Sequence, residues 1–192
     1  MGLFYTASTN EMVQTRKKIF LDHGLPALYK NGFEKSPFAG VWFGHYPNIG
    51  YIYELCRLGK ENHLEMITTH IIRGDRWIQV NLNIFKLMPE INSLSQLQGV
   101  DGMQFSLPPN SITNMRLRLD DFKGPPLFNY NFWFRKHKIR SYQTKSDFER
   151  RTRKLSELLM KDLGNIDWFV TRWHELHKPL VTDWKGKQIE WK

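Results

Sequence analysis

The stretch WHELHK, residues 173–178, places two histidines and a glutamate near the end of what reads as a helix. A zinc hydrolase of the H-E-x-x-H kind needs its imidazoles four residues apart on one helical face, with the glutamate beside them as base. Here the residue four after His174 is Lys178, and His177 comes three after. Three-residue spacing still allows His174 and His177 to share a face. Zinc takes at least one further ligand, and His137, His45 and Asp183 are the candidates, none marked by spacing. The competing reading is an amphipathic helix end whose imidazoles favour the C-terminal dipole. The expectation is no metal and no other cofactor, with His174 and His177 as the candidate ligands if the chain is a metal-dependent hydrolase.

A second chemistry lies in two basic stretches, RKHKIR (135–140) and ERRTRK (149–154). Arg135, Lys136, Lys138 and Arg140 sit in the first; Arg150, Arg151, Arg153 and Lys154 sit in the second. Such groups steer an acidic protein partner and pair at the rim of an interface, with exposed rings such as Trp133 or Trp184 as anchors. The same groups beside rings also hold single-stranded nucleic acid, through phosphate pairing and base stacking. Against both stands ordinary solvation of a surface helix, with part of the charge paired to Asp147, Glu149 and Glu157. No helix-turn-helix, zinc-finger or RNP-type pattern is present.

The acidic groups are less suggestive. Asp120-Asp121 precedes FKGPP, where a turn wants them. Glu54, Glu65 and Asp75 fall on or near predicted strands, and the sequence does not say whether they converge. There is no G-x-S-x-G elbow, P-loop or dinucleotide fingerprint. Cys56 is the one cysteine, so no intramolecular disulfide forms. Its place in a strand predicts a buried, inert thiol.

The 192 residues suffice for one domain with a substantial core. At 41% hydrophobic and 24% charged the chain is globular in composition. No apolar run approaches the ~20 residues that span a bilayer. The N-terminus lacks the pattern of a secretory signal, and Gly2 with Thr6 is only a partial myristoylation match. A cytoplasmic location is expected. The formal charge is +9 and uneven: residues 1–134 hold 13 Lys and Arg against 11 Asp and Glu, residues 135–192 hold 15 against 8. The basic third favours anionic partners.

Elements must position these groups. Ser8 and Glu11 have capping-box spacing before a helix that stops at Gly24, with Val13, Lys17, Phe20 and Leu21 on one face. LPALYKNG adds a short helix opened by Pro26. The period then changes to two. Strands are predicted at 40–46, 50–58, 63–73 and 76–87, the last two joined by a tight turn at Gly74-Asp75. Ile78, Val80, Leu82 and Ile84 alternate with Gln79, Asn81 and Asn83, the pattern of a sheet covered on one side. Residues 88–111 read as loop with a helical turn, 112–119 and 128–134 as strands, and HKIRSYQ as a possible extension. Ser146 and Glu149 predict a helix over 147–163, and Asn165 opens another that Pro179 limits. Residues 181–192 read as a short hairpin or a loose tail.

LYKNGFEKS, YIYELCRL, HLEMITTHIIR, WIQVNLNIFKL and NIDWFVTRWHEL together resemble a family of small bacterial domains of unknown function. Gly32, Phe33, Lys35, Asn81, Asn83, Trp168 and Phe169 carry the likeness. The resemblance implies an α+β domain without established catalysis, of a sort found beside toxins as candidate immunity proteins. The expected architecture is a single α+β domain over 1–192, an antiparallel sheet of five or six strands with N-terminal and C-terminal helices on one face. The expected function is non-enzymatic protein binding toward an acidic surface, of the antitoxin-like or immunity type that the resemblance implies. Nucleic-acid binding through the basic C-terminal surface is the alternative, and a metal-dependent hydrolase the third.

Overall fold

Ser8 caps the first helix as its spacing predicts: its hydroxyl accepts the Glu11 N–H, and α1 runs Thr9–Ile19. A π-helical turn, Phe20–Gly24, leads without a break into α2, Leu25–Lys30, with Pro26 in its first turn. The computed structural model describes residues 5–123, 136–139 and 144–189. The strand expected at 128–134 lies outside them, as do Gly2, Trp133, Arg135 and Arg140. Thr144, rather than Ser146, caps the next described helix: its hydroxyl takes the Asp147 N–H, and α3 spans Lys145–Gly164. After it, α4 spans Ile166–Leu176.

The described residues form a seven-stranded sheet, most of it between α2 and α3. Its strands are β1 Glu34–Lys35, β2 Phe43–Tyr46, β3 Gly50–Leu58, β4 His63–Ile72, β5 Gln79–Leu87 and β6 Met115–Arg116, joined after α4 by β7 Leu180–Thr182. The order is β1-β3-β4-β5-β6, with β2 also on β3 and β7 on β5. All pairs are antiparallel except β5 with β7. The protein is thus α+β, as expected.

The register fixes the two faces. Tyr53 opposes Thr69 and Leu55 opposes Ile67, while Ile67 and Thr69 oppose Leu82 and Val80. This face meets the helices, where Phe20, Leu28, Leu159, Ile166, Phe169 and Trp173 close over Leu55, Ile67, Val80, Leu82 and Ile84. Each such aliphatic side chain, fully buried, contributes about 1.5–3 kcal/mol. Trp173 is wholly buried, and its indole N–H donates to the Thr113 carbonyl at 2.8 Å.

The opposite face is not uniformly wet, contrary to the simple alternation. At its β3–β4 turn end, Cys56, Leu64, Phe85 and Leu87 lie under a second apolar cluster with Phe38, Ile91, Leu97 and Phe105. Strand alternation reports one apolar face, but the loop 88–111 folds back in 3-10 turns and covers part of the other. Residues 180–189 belong to this cover. Thr182 bridges Gln188, Asp183 accepts two backbone N–H groups of the turn, and Trp184 donates its indole N–H to the Pro89 carbonyl at 2.7 Å. Of the two expectations for residues 181–192, a short hairpin or a loose tail, the described part is a docked hairpin.

Three predicted strands are shortened by more than one residue. β2 begins at Phe43 rather than at residue 40. β5 begins at Gln79, because Arg76–Ile78 leave β4 and pair with 137–139: Ile78 N–H donates to the His137 carbonyl and Ile139 N–H to the Arg76 carbonyl, both at 2.9 Å. The strand expected at 112–119 is only Met115–Arg116, ended by Arg118 at φ 63°.

Candidate anion-binding face

Beyond the second apolar cluster, the second sheet face is built from the strand residues that alternate away from the helices. Thr68 and His70 on β4, Gln79 and Asn81 on β5, and Arg116 on β6 share it, with Trp77 from the segment just before β5. All six are half-exposed. The crossing segment adds Lys136 and Lys138, also half-exposed, through the Trp77–Lys138 bridge.

Three cations converge on one ring. The Arg116 guanidinium carbon lies 4.6 Å from the Trp77 ring centroid, Lys138 Nζ 5.0 Å and Lys136 Nζ 5.7 Å. Cation–ring attraction holds each of them. Their mutual repulsion is visible: burial, and then the charge of Arg116, push the Lys136 pKa down, and the same two causes lower that of His70. A neutral His70 accepts from the Asn81 amide, Nδ1 to Nδ2 3.4 Å.

Arg116 has an unfilled donor. Its Nη2 is buried and has no hydrogen-bond partner among the described residues. Burial lowers its pKa against the fields of Asp75 and Asp120. Neither carboxylate closes an ion pair on it. Asp75 instead accepts from the Arg76 N–H and from the Gln79 amide, each at 2.6 Å, and Asp120 accepts the Arg116 backbone N–H at 3.0 Å.

Arg16 of α1 anchors the face from below. It is fully buried, and donates to the carbonyls of Met12 at 3.0 Å, Trp77 at 2.7 Å and Ile72 at 3.1 Å. It therefore fixes the backbone that presents Trp77. Sequence reasoning passed over Arg16 because an arginine on an amphipathic helix reads as solvated. The one signal was its place among Met12, Val13 and Ile19, all buried on the same stripe.

The other predicted sites are dispersed. Arg150, Arg151, Arg153 and Lys154 are exposed along α3, Arg150 paired with Asp147 at 2.5 Å. Trp184 is half-exposed, away from the Trp77 cluster, and its indole N–H is donated to the Pro89 carbonyl. Glu54 and Glu65 point to opposite faces and do not converge: Glu54 pairs across from Thr68, while Glu65 bonds Arg57 at 2.8 Å on the helix side. Burial raises the pKa of both.

The histidines are dispersed too. His174 is exposed, 5.7 Å ring to ring from His63, and His177 caps the end of α4; both rings lie 5.3 Å from Trp173. His45 packs on Tyr51, and Asp183 closes the C-terminal turn. His137 is buried with Nε2 2.7 Å from Asp162, whose carboxylate also binds Arg118. Among the described residues no three His, Cys, Asp or Glu side chains are grouped to hold a metal ion. Cys56 is buried, and burial pushes its thiol up to about 12. Among those residues, too, no helix is long and apolar enough to cross a membrane.

No protein-family model, no curated protein and no solved structure matches this chain.

Proposed function

We propose that this protein is a non-enzymatic binding module for an anionic macromolecule, engaged through the half-exposed end of the sheet at Trp77. The observation that carries the reading is the gathering of Arg116, Lys136 and Lys138 around one indole, with Arg116 Nη2 buried and unpartnered among the described residues. Like charges held this close in a partly desolvated setting repel more than they would in water. An anion entering among them reverses that term and gives the Arg116 donor its acceptor. The exposed basic ridge of α3, Arg150 to Lys154, lies outside this cluster and serves for long-range steering. An acidic protein, as the immunity-type resemblance implies, and nucleic acid both meet these requirements.

The test is retention on a polyanion matrix such as heparin-agarose. Lys136→Gln with Lys138→Gln should elute at clearly lower salt than wild type. Lys185→Gln with Lys187→Gln, the same charge change on exposed residues of the C-terminal turn, should shift elution much less. Equal shifts would mean that net charge, not this face, governs binding.

A further inference from the structure

We infer that the anion taken by the Trp77 face is single-stranded nucleic acid, with its phosphates on Arg116, Lys136 and Lys138 and a base edge facing Asn81 and His70. The inference rests on the reading that this face binds an anion, and concerns which one.

Three features point to an unpaired strand rather than an acidic protein surface. The cations are not spread as an exposed row; they are half-buried around an aromatic ring. Planar guanidinium and indole groups are the surfaces on which unstacked bases lie. The neighbours of Arg116 across the strands are neutral donor–acceptor groups. Asn81 is its register partner, His70 lies beside Asn81, and Gln79 and Thr68 continue the same face. Amide and imidazole groups offer acceptors as well as donors and so match the hydrogen-bonding edge of a base, whereas an ionised carboxylate uses only the donors. Finally, these groups sit side by side on adjacent strands of one sheet, a platform along which an unpaired chain can lie extended. A duplex, whose base edges lie inside grooves, presents only its backbone there.

The experiment is fluorescence anisotropy with labelled oligouridylate and oligodeoxythymidylate of about 12 nucleotides, a length spanning one such platform. A duplex of equal length and labelled polyglutamate are the comparison probes. The inference predicts that one or both single strands bind more tightly than duplex or polyglutamate. Binding should fall at least tenfold in Lys136→Gln/Lys138→Gln and in Trp77→Leu, but not in Lys185→Gln/Lys187→Gln. Removing two phosphate contacts should also flatten the log–log salt slope by about 1.4. Circular dichroism melting checks that each variant is folded; the lysine pair, half-exposed, decides if Trp77→Leu is not. If polyglutamate binds through Lys136 and Lys138 while oligonucleotides do not, the nucleic-acid inference is wrong and the anion-binding reading stands. If no probe depends on those lysines, both are overturned.

Discussion

Arg16 shows how one side chain ties the fold to the site. A buried guanidinium is costly unless its donors are filled, and here three backbone carbonyls fill them. Two of those carbonyls, at Ile72 and Trp77, flank the β4–β5 connection. Arg16→Met removes the donors and leaves both acceptors inside, so it should lower unfolding free energy by about 3 kcal/mol, read by urea denaturation. An unchanged midpoint would show that water replaces the guanidinium. Asp162 offers a test in pH. Burial acts to raise its pKa, but hydrogen bonds from Arg118 and His137 outweigh it, and the net shift is downward. Its stabilising contribution is therefore present above the ordinary value of 3.8 and is lost as pH falls through the lower folded value. Asp162→Asn should cost about 3 kcal/mol at neutral pH, with the gap to wild type closing only in strong acid. His63 and His70 act earlier. Burial depresses both, so the unfolded chain takes their protons first and stability begins to drop as pH falls below 6.5.

At the scale of elements, caps and periods were the legible part. Ser8, Pro26 and the alternation through Ile84 predicted α1, α2 and the core of β5 because each is a local signal with a local cause. Partner choice was not legible. The alternation runs through Trp77 and Ile78 without a mark, although these residues pair with 137–139 instead of β4. For the same reason Arg116 and Lys138 are far apart in sequence yet share a ring. The candidate site was thus half visible: Lys136 and Lys138 stood out by charge, whereas Trp77, Arg116 and Arg16 needed the sheet register. One backbone position tests the hairpin geometry. Gly50 has φ 142°, and a Cβ there would come within 2.1 Å of the Ile71 carbonyl oxygen. Gly50→Ala should therefore lower stability by about 1–3 kcal/mol, measured as a drop in thermal midpoint. A neutral substitution would mean that β3 shifts its register at no cost.

Across the whole molecule, two apolar clusters lie on opposite faces of one sheet, and among the described residues the second covers only part of its face. The formal charge of +9 gives attraction to anions without direction; the direction comes from the fold, which brings Arg116 of β6 and Lys136 and Lys138 of the crossing segment to one indole. The protein contains seven tryptophans, so the decisive measurement must single out Trp77. Its indole N–H signal in a proton–nitrogen NMR spectrum is assigned by its loss in Trp77→Phe, and polyphosphate is then titrated into wild type. The account predicts that the Trp77 signal moves saturably and further than any other indole, and that Lys136→Gln/Lys138→Gln weakens the response. A Trp77 signal that stays in place while the others move, or that moves no more than they do, would contradict it.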